Sequence, residues 1–178
     1  KSNPTVRIDE KELYCEMPKK PSRIFVGSMI DIPYVIEHNF SSIVWSKFAR
    51  ICIENQKHRF LFLTKTPVFY RGLIADKNKD NIWYGATALY GSYNFMKTIK
   101  SYNNNYISLE PLVRDLSDVD FNGIKWIIVG GMTPKPVHKK EWVDRIIDKA
   151  RALNIPIFLK KNLHYPKTIR EYPKELEL

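Results

Sequence analysis

The sequence predicts an α/β protein with about six mainly parallel strands and helices outside them, and three observations carry that prediction. Short β-branched or aromatic runs recur along the chain: Arg23-Ile24-Phe25-Val26, Phe60-Leu61-Phe62-Leu63, Ile82-Trp83-Tyr84, Tyr106-Ile107-Ser108-Leu109, Trp126-Ile127-Ile128-Val129 and Ile155-Pro156-Ile157-Phe158-Leu159. Near-continuous apolar runs suit strands buried on both faces, as in a parallel sheet. Segments with helical spacing alternate with them through short links, which is the pattern of βαβ units. The runs also end in small or reactive polar residues, where ligands of parallel sheets are held.

The elements follow in order. After the first run, Pro33 suits the first turn of a helix, where its missing N–H costs nothing. Ile36, Phe40, Ile43, Val44, Phe48, Ile51 and Cys52 then fall on one helical stripe. After the second run, Thr66-Pro67 reads as an N-cap and first position of a short helix ending near Gly72. Ser92 is placed to cap a third helix bearing Phe95, Met96 and Ile99, with Asn103-Asn104-Asn105 as its exit. Residues 115–119 promise at most a helical turn. Trp142, Val143, Ile146, Ile147, Ala150 and Leu153 share a face of the last helix, which Asn154-Ile155-Pro156 stops.

The 178 residues therefore read as a single β/α domain. An irregular segment spans residues 1–21, the β/α core spans 22–161, and an extended, surface-packed tail spans 162–178. Six parallel strands can form an open doubly wound sheet or a part-closed barrel. The first strand is not followed by Gly-x-Gly-x-x-Gly, so the dinucleotide-binding sheet lacks its signature and the barrel is favoured.

Composition narrows the function. A hydrophobic content of 44% with 13% aromatic residues argues against general disorder. No apolar segment reaches the length of a membrane span, and a soluble, cytoplasmic protein is the expectation. Two cysteines, Cys15 and Cys52, have no metal-ligand spacing. The formal charge of +10 favours acidic partners, from a small phosphorylated molecule to nucleic acid, although the basic residues are dispersed. Oligomeric state is not legible.

The candidate site residues lie at the strand ends. Lys65 is placed to bind a phosphate or carboxylate, or to act as an amine nucleophile; the structural alternative is a lysine extending from the barrel rim. Glu110 follows a buried apolar run directly, a position charges take when they are paired or functional. Its structural alternative is an ion pair at the barrel mouth. Gly130 and Gly131 allow close backbone approach to a ligand or a tight turn. Asp31, three residues after Ser28, serves a substrate or caps the following helix. Neither His138 nor His164 has a partner at metal spacing.

The strand-end words in series resemble a family. Ile24-Phe25-Val26-Gly27-Ser28-Met29-Ile30-Asp31, Leu63-Thr64-Lys65-Thr66-Pro67, Asn81-Ile82-Trp83-Tyr84-Gly85, Ser108-Leu109-Glu110-Pro111-Leu112 and Trp126-Ile127-Ile128-Val129-Gly130-Gly131 are similar to the phage-type radical S-adenosylmethionine (SAM) proteins, catalogued mainly as a domain of unknown function. The likeness continues through His138, Trp142-Val143, Ile155 to Lys160 and Arg170-Glu171-Tyr172-Pro173. It covers nearly the whole chain from Asn3-Pro4.

The resemblance implies a partial (β/α) barrel of radical SAM type, with SAM and a 4Fe-4S cluster as cofactors of the intact family member. On that reading Ser28, Thr87, Glu110, Gly130 and Gly131 line the cofactor cavity, and Lys65, Lys160 and Asp31 face the substrate. The family's cluster is held by a Cys-x3-Cys-x2-Cys loop upstream of the Asn-Pro that here is Asn3-Pro4. Cys15 and Cys52 do not match that loop, so the expectation is either a fragment or a reduced homologue without a cluster. Met132 stands where the family has an acidic residue after the paired glycines, and Lys161-Asn162-Leu163 replaces its aromatic-rich exit. Two rival readings remain open: a non-catalytic module binding nucleic acid or a protein through its basic rim, and a metal-independent enzyme using Lys65 or Lys160 as a reactive amine.

Overall fold

The computed structural model of the chain describes residues 9, 11, 15–27, 30–32, 34–35, 42–72, 80–88 and 94–178. Six strands form one sheet: β1 (Arg23–Val26), β2 (Arg59–Thr64), β3 (Ile82–Thr87), β4 (Asn105–Leu109), β5 (Ile127–Val129) and β6 (Ile157–Leu159). Their spatial order is their chain order, and every neighbouring pair is parallel. A doubly wound sheet needs a reversal of strand order to put helices on both faces. This sheet has none, so successive crossovers keep to one side and the sheet curves into a half-barrel with helices outside.

The two faces are packed by different parts of the chain. Outward-facing Phe60, Phe62, Ile82, Tyr84, Ile107, Ile127 and Ile157 meet helices α1 (Ser42–Glu54), α2 (Asn94–Ile99) and α3 (Lys140–Ala152) in one large core. The predicted stripes are what they bury: Val44, Phe48 and Cys52 from α1, Met96 and Ile99 from α2, and Val143, Ile146 and Ala150 from α3. The alternate strand residues, Leu61, Trp83, Tyr106, Trp126 and Ile128, form a second cluster on the inner face. Within it the Tyr106 ring lies over Gly85, where a Cβ would strike the ring, and its hydroxyl donates to the Phe62 carbonyl at 2.8 Å.

The segment after β2 is a 3-10 helix over Pro67–Gly72, where the Thr66 carbonyl accepts the Phe69 N–H at 3.1 Å. Thr64 accepts the Thr66 N–H through its hydroxyl at 3.0 Å. The expected turn within residues 115–119 is a single closure, with Val119 N–H donating to the Leu116 carbonyl at 3.2 Å. Ser92, Pro33, Ile36 and Phe40 lie outside the described residues.

The tail differs from the expected surface segment. Leu159 N–H donates to the Ile169 carbonyl at 2.9 Å, and Glu171 N–H to the Ile157 carbonyl at 3.1 Å, an antiparallel bridge along β6. The chain then crosses the inner face at the amino ends of the strands. Trp126 Nε1 donates to the Glu171 carbonyl at 2.9 Å, Arg59 to the Glu175 carbonyl at 2.8 Å and Arg23 to the Leu176 carbonyl at 2.9 Å. Tyr172 and fully buried Leu176 pack into the inner cluster. The short β1 and β6 leave inner apolar surface that the strands alone would not cover, and the tail covers it. Its charged composition hid these two anchors. No described helix is long and apolar enough to cross a membrane.

Candidate functional site at the strand ends

With the tail filling the amino end of the inner face, the carboxyl ends of the strands form the other rim. Side-chain alternation carries the inner face upward from Trp83 through Gly85 to Thr87, from Tyr106 through Ser108 to Glu110, and from Trp126 through Ile128 to Gly130. Thr87 is half-buried and stands in register with buried Ser108 on β4.

Glu110, Gly130 and Lys160 are the residues next after β4, β5 and β6. Register puts them side by side, because Leu109 pairs with Val129 and Val129 with Leu159. The Lys160 ammonium donates to Glu110 Oε2 across the middle strand. That crossing needs a glycine: a Cβ on Gly130 would lie inside the Glu110 carboxyl group. The side chain of Glu110 is 23% exposed and that of Lys160 is 43% exposed, so the pair sits at the water boundary. Such a pair contributes at most about 1 kcal/mol to stability. The two residues thus form an ion pair at the barrel mouth.

Asn162 completes the cluster. Its Oδ1 accepts the Gly131 N–H at 3.3 Å and its Nδ2 donates to the Gly131 carbonyl at 2.8 Å. The same Nδ2 lies 3.4 Å from Glu110 Oε1. A Cβ on Gly131 would come within 2.5 Å of the Asn162 carbonyl oxygen. Sequence reasoning missed Asn162 as a functional residue; its one signal was its place three residues after Leu159, in the exit segment that departs from the resembled family.

Asp31 and Lys65 lie at the other end of the rim. Asp31 Oδ1 accepts the Thr64 hydroxyl at 2.6 Å and the Tyr34 N–H at 3.3 Å, and Oδ2 accepts the Lys65 N–H at 2.9 Å. These bonds fix the turn after β2 and cap the chain after β1, so Asp31 acts here as the expected cap and as a clamp. Lys65 is exposed one residue beyond β2. It is separated from Glu110 and Lys160 by the intervening strands. Ser28 lies outside the described residues.

The glycines do less with their backbones than the sequence suggested. Gly130 N–H already donates to the Leu109 carbonyl at 3.2 Å and Gly131 N–H to Asn162. Their contribution is space for Glu110 and for the turn after β6.

His138, which the resemblance singled out, stands beside this turn. Its ring is partly buried and its pKa is lowered by desolvation, against an opposing effect of the Leu163 carbonyl. Among the described residues no group of three His, Cys, Asp or Glu side chains is arranged to hold a metal ion.

Fold and rim together define a parallel β/α half-barrel protein with a charged pair set over glycine at the carboxyl ends of its strands. The chain belongs to the family described as protein of unknown function DUF5131, whose profile matches residues 2–175. No curated protein and no solved structure matches it.

Proposed function

We propose that the chain is the SAM-holding, cluster-lacking portion of a radical SAM-like enzyme whose substrate is unassigned. One observation carries the reading: Glu110 and Lys160 bring opposite charges together at the carboxyl ends of β4 and β6, across a glycine whose missing Cβ makes room for the Glu110 carboxyl. An α-amino-acid zwitterion needs a carboxylate for its ammonium and an ammonium for its carboxylate. SAM carries that zwitterion beside an adenosyl group. Thr87, half-buried on the inner face of β3, offers a hydroxyl within the same rim for the ribose. Lys65 remains for an anionic group of a second substrate. Because Lys160 is paired to Glu110, it belongs to the ligand-holding cluster and leaves Lys65 as the substrate-facing lysine.

The residues of this chain do not fit a 4Fe-4S cluster. Such clusters are held by thiolates, three of them in the resembled family, whereas the sequence has two cysteines. Cys52 is buried in α1 with its thiol pushed up to about 12 by desolvation, and Cys15 is exposed elsewhere. No radical step is assigned to these residues; their part is to bind and orient the ligand.

Calorimetric titration with SAM tests the reading. Saturable binding at one site, weakened at least about tenfold in Glu110→Gln and in Lys160→Met, is the expected result, since a charge-assisted contact is worth about 1.5–3 kcal/mol. Absence of saturable binding to the folded protein overturns it. The formal charge of +10 supports a second reading, a non-catalytic module for nucleic acid. Salt-sensitive oligonucleotide binding that survives Glu110→Gln and Lys65→Ala would favour that module.

A further inference from the structure

We infer that Asn162 is a positioning residue that holds the Glu110 carboxylate in place when Lys160 turns to a ligand, so that the rim selects zwitterions. The inference rests on the ligand reading above and adds a residue and a selectivity to it. The two oxygens of Glu110 have different donors: Oε2 takes the Lys160 ammonium, and Oε1 faces the Asn162 amide at 3.4 Å. The amide cannot turn over, because its oxygen and nitrogen are both fixed by the N–H and carbonyl of Gly131. Its NH2 group therefore always faces the carboxylate.

Consider a ligand carboxylate drawing Lys160 away. Glu110, the more buried of the two, loses its cation, and a half-buried carboxylate without a donor is costly. Asn162 keeps a neutral donor on Oε1, which leaves Oε2 aimed at the vacated position. A ligand ammonium fills it and restores the charge balance. A ligand carrying only an anion leaves Glu110 without a counter-charge. One carrying only a cation leaves Lys160 unpaired, a smaller loss because Lys160 is more exposed. Selection therefore runs zwitterion first, lone ammonium second.

Two measurements test this and separate it from the parent reading. The first needs no ligand: in a crystal structure of Lys160→Met, Glu110 should stay beside Asn162, and a carboxylate swung out to solvent overturns the positioning role. The second compares SAM, decarboxylated SAM and 5′-methylthioadenosine by calorimetry. The wild type should bind them in that order of affinity. Asn162→Ala should weaken SAM about tenfold and leave methylthioadenosine, which lacks the amino-acid end, unchanged. Asn162→Asp, which places a second negative charge beside Glu110, should weaken SAM at least as much. Equal weakening of all three ligands overturns the inference while leaving the SAM reading standing. Failure of the wild type to bind SAM, with Glu110 still held in Lys160→Met, overturns the SAM reading and leaves the positioning role standing.

Discussion

Lys160 reaches Glu110 across the one strand that separates them, and it does so because Gly130 has no side chain. The relationship joins three consecutive strands of the half-barrel through side chains at their carboxyl ends. It also explains why glycine directly follows the fifth strand, where Gly130 keeps an ordinary backbone and only the missing Cβ matters.

Gly130→Ala follows directly. The added methyl meets the Glu110 carboxyl, so the carboxylate must leave Lys160 or β5 must shift. Overpacking of this kind costs about 1–3 kcal/mol, and the lost surface pair adds less than about 1 kcal/mol. Urea denaturation should show a lower midpoint for Gly130→Ala. In the Glu110→Ala background the same substitution should cost much less, since the group it strikes is gone.

A second prediction concerns pH. His58 is fully buried just before β2, and both ring nitrogens lack a hydrogen-bond partner. Desolvation is the main cause holding its pKa below the ordinary value of 6.5; Lys57 adds to it, and the nearby Pro18 carbonyl opposes it. The folded state therefore keeps the ring neutral at pH values where the unfolded chain takes up a proton. Stability is unaffected by this group well above 6.5 and falls as pH drops through 6.5 toward the folded pKa, with a slope of at most about 1.4 kcal/mol per pH unit. Urea midpoints measured from pH 8 to pH 5 should decline, and the decline should be shallower in His58→Leu.

The two thiols should differ sharply. Cys15 is exposed, whereas Cys52 is 2% exposed and its thiol is pushed up to about 12 by burial. Only the thiolate attacks a disulfide reagent. At pH 8 the native protein should give one fast-reacting thiol and the urea-unfolded protein two. Fast reaction of both thiols in the native state would contradict the packing of α1 on the sheet.

Much of the architecture was legible from local pattern. The apolar runs mark the six strands, and the stripes on α1 and α3 mark what the outer face buries, because buried strands and amphipathic helices write their environment into adjacent residues. Glu110 stood out for a local reason too, as a charge directly after a buried run. Its pairing with Lys160 did not, although Lys160 was itself a candidate: 50 residues separate the two, and only register across β5 brings them together. Asn162 had only its place in the exit segment to mark it, since an asparagine becomes a clamp only when Gly131 is beside it. Tyr172 and Leu176 were hidden among the charges of the tail. They cover the inner face because the curved sheet leaves it open, a property of the whole fold.

The most direct test of the charged rim as a ligand site is a heteronuclear NMR titration of glycine-labelled protein with SAM. The chain has seven glycines, which gives a short, assignable spectrum. Gly130 and Gly131 lie within the Glu110–Lys160–Asn162 cluster, whereas Gly123 packs near Lys100 in the segment before β5, at the amino ends of the strands. The predicted result is a saturable shift of Gly130 and Gly131 with Gly123 unmoved, abolished in Lys160→Met. Unmoved Gly130 and Gly131 signals at saturating SAM, or shifts that persist unchanged in Lys160→Met, would contradict it.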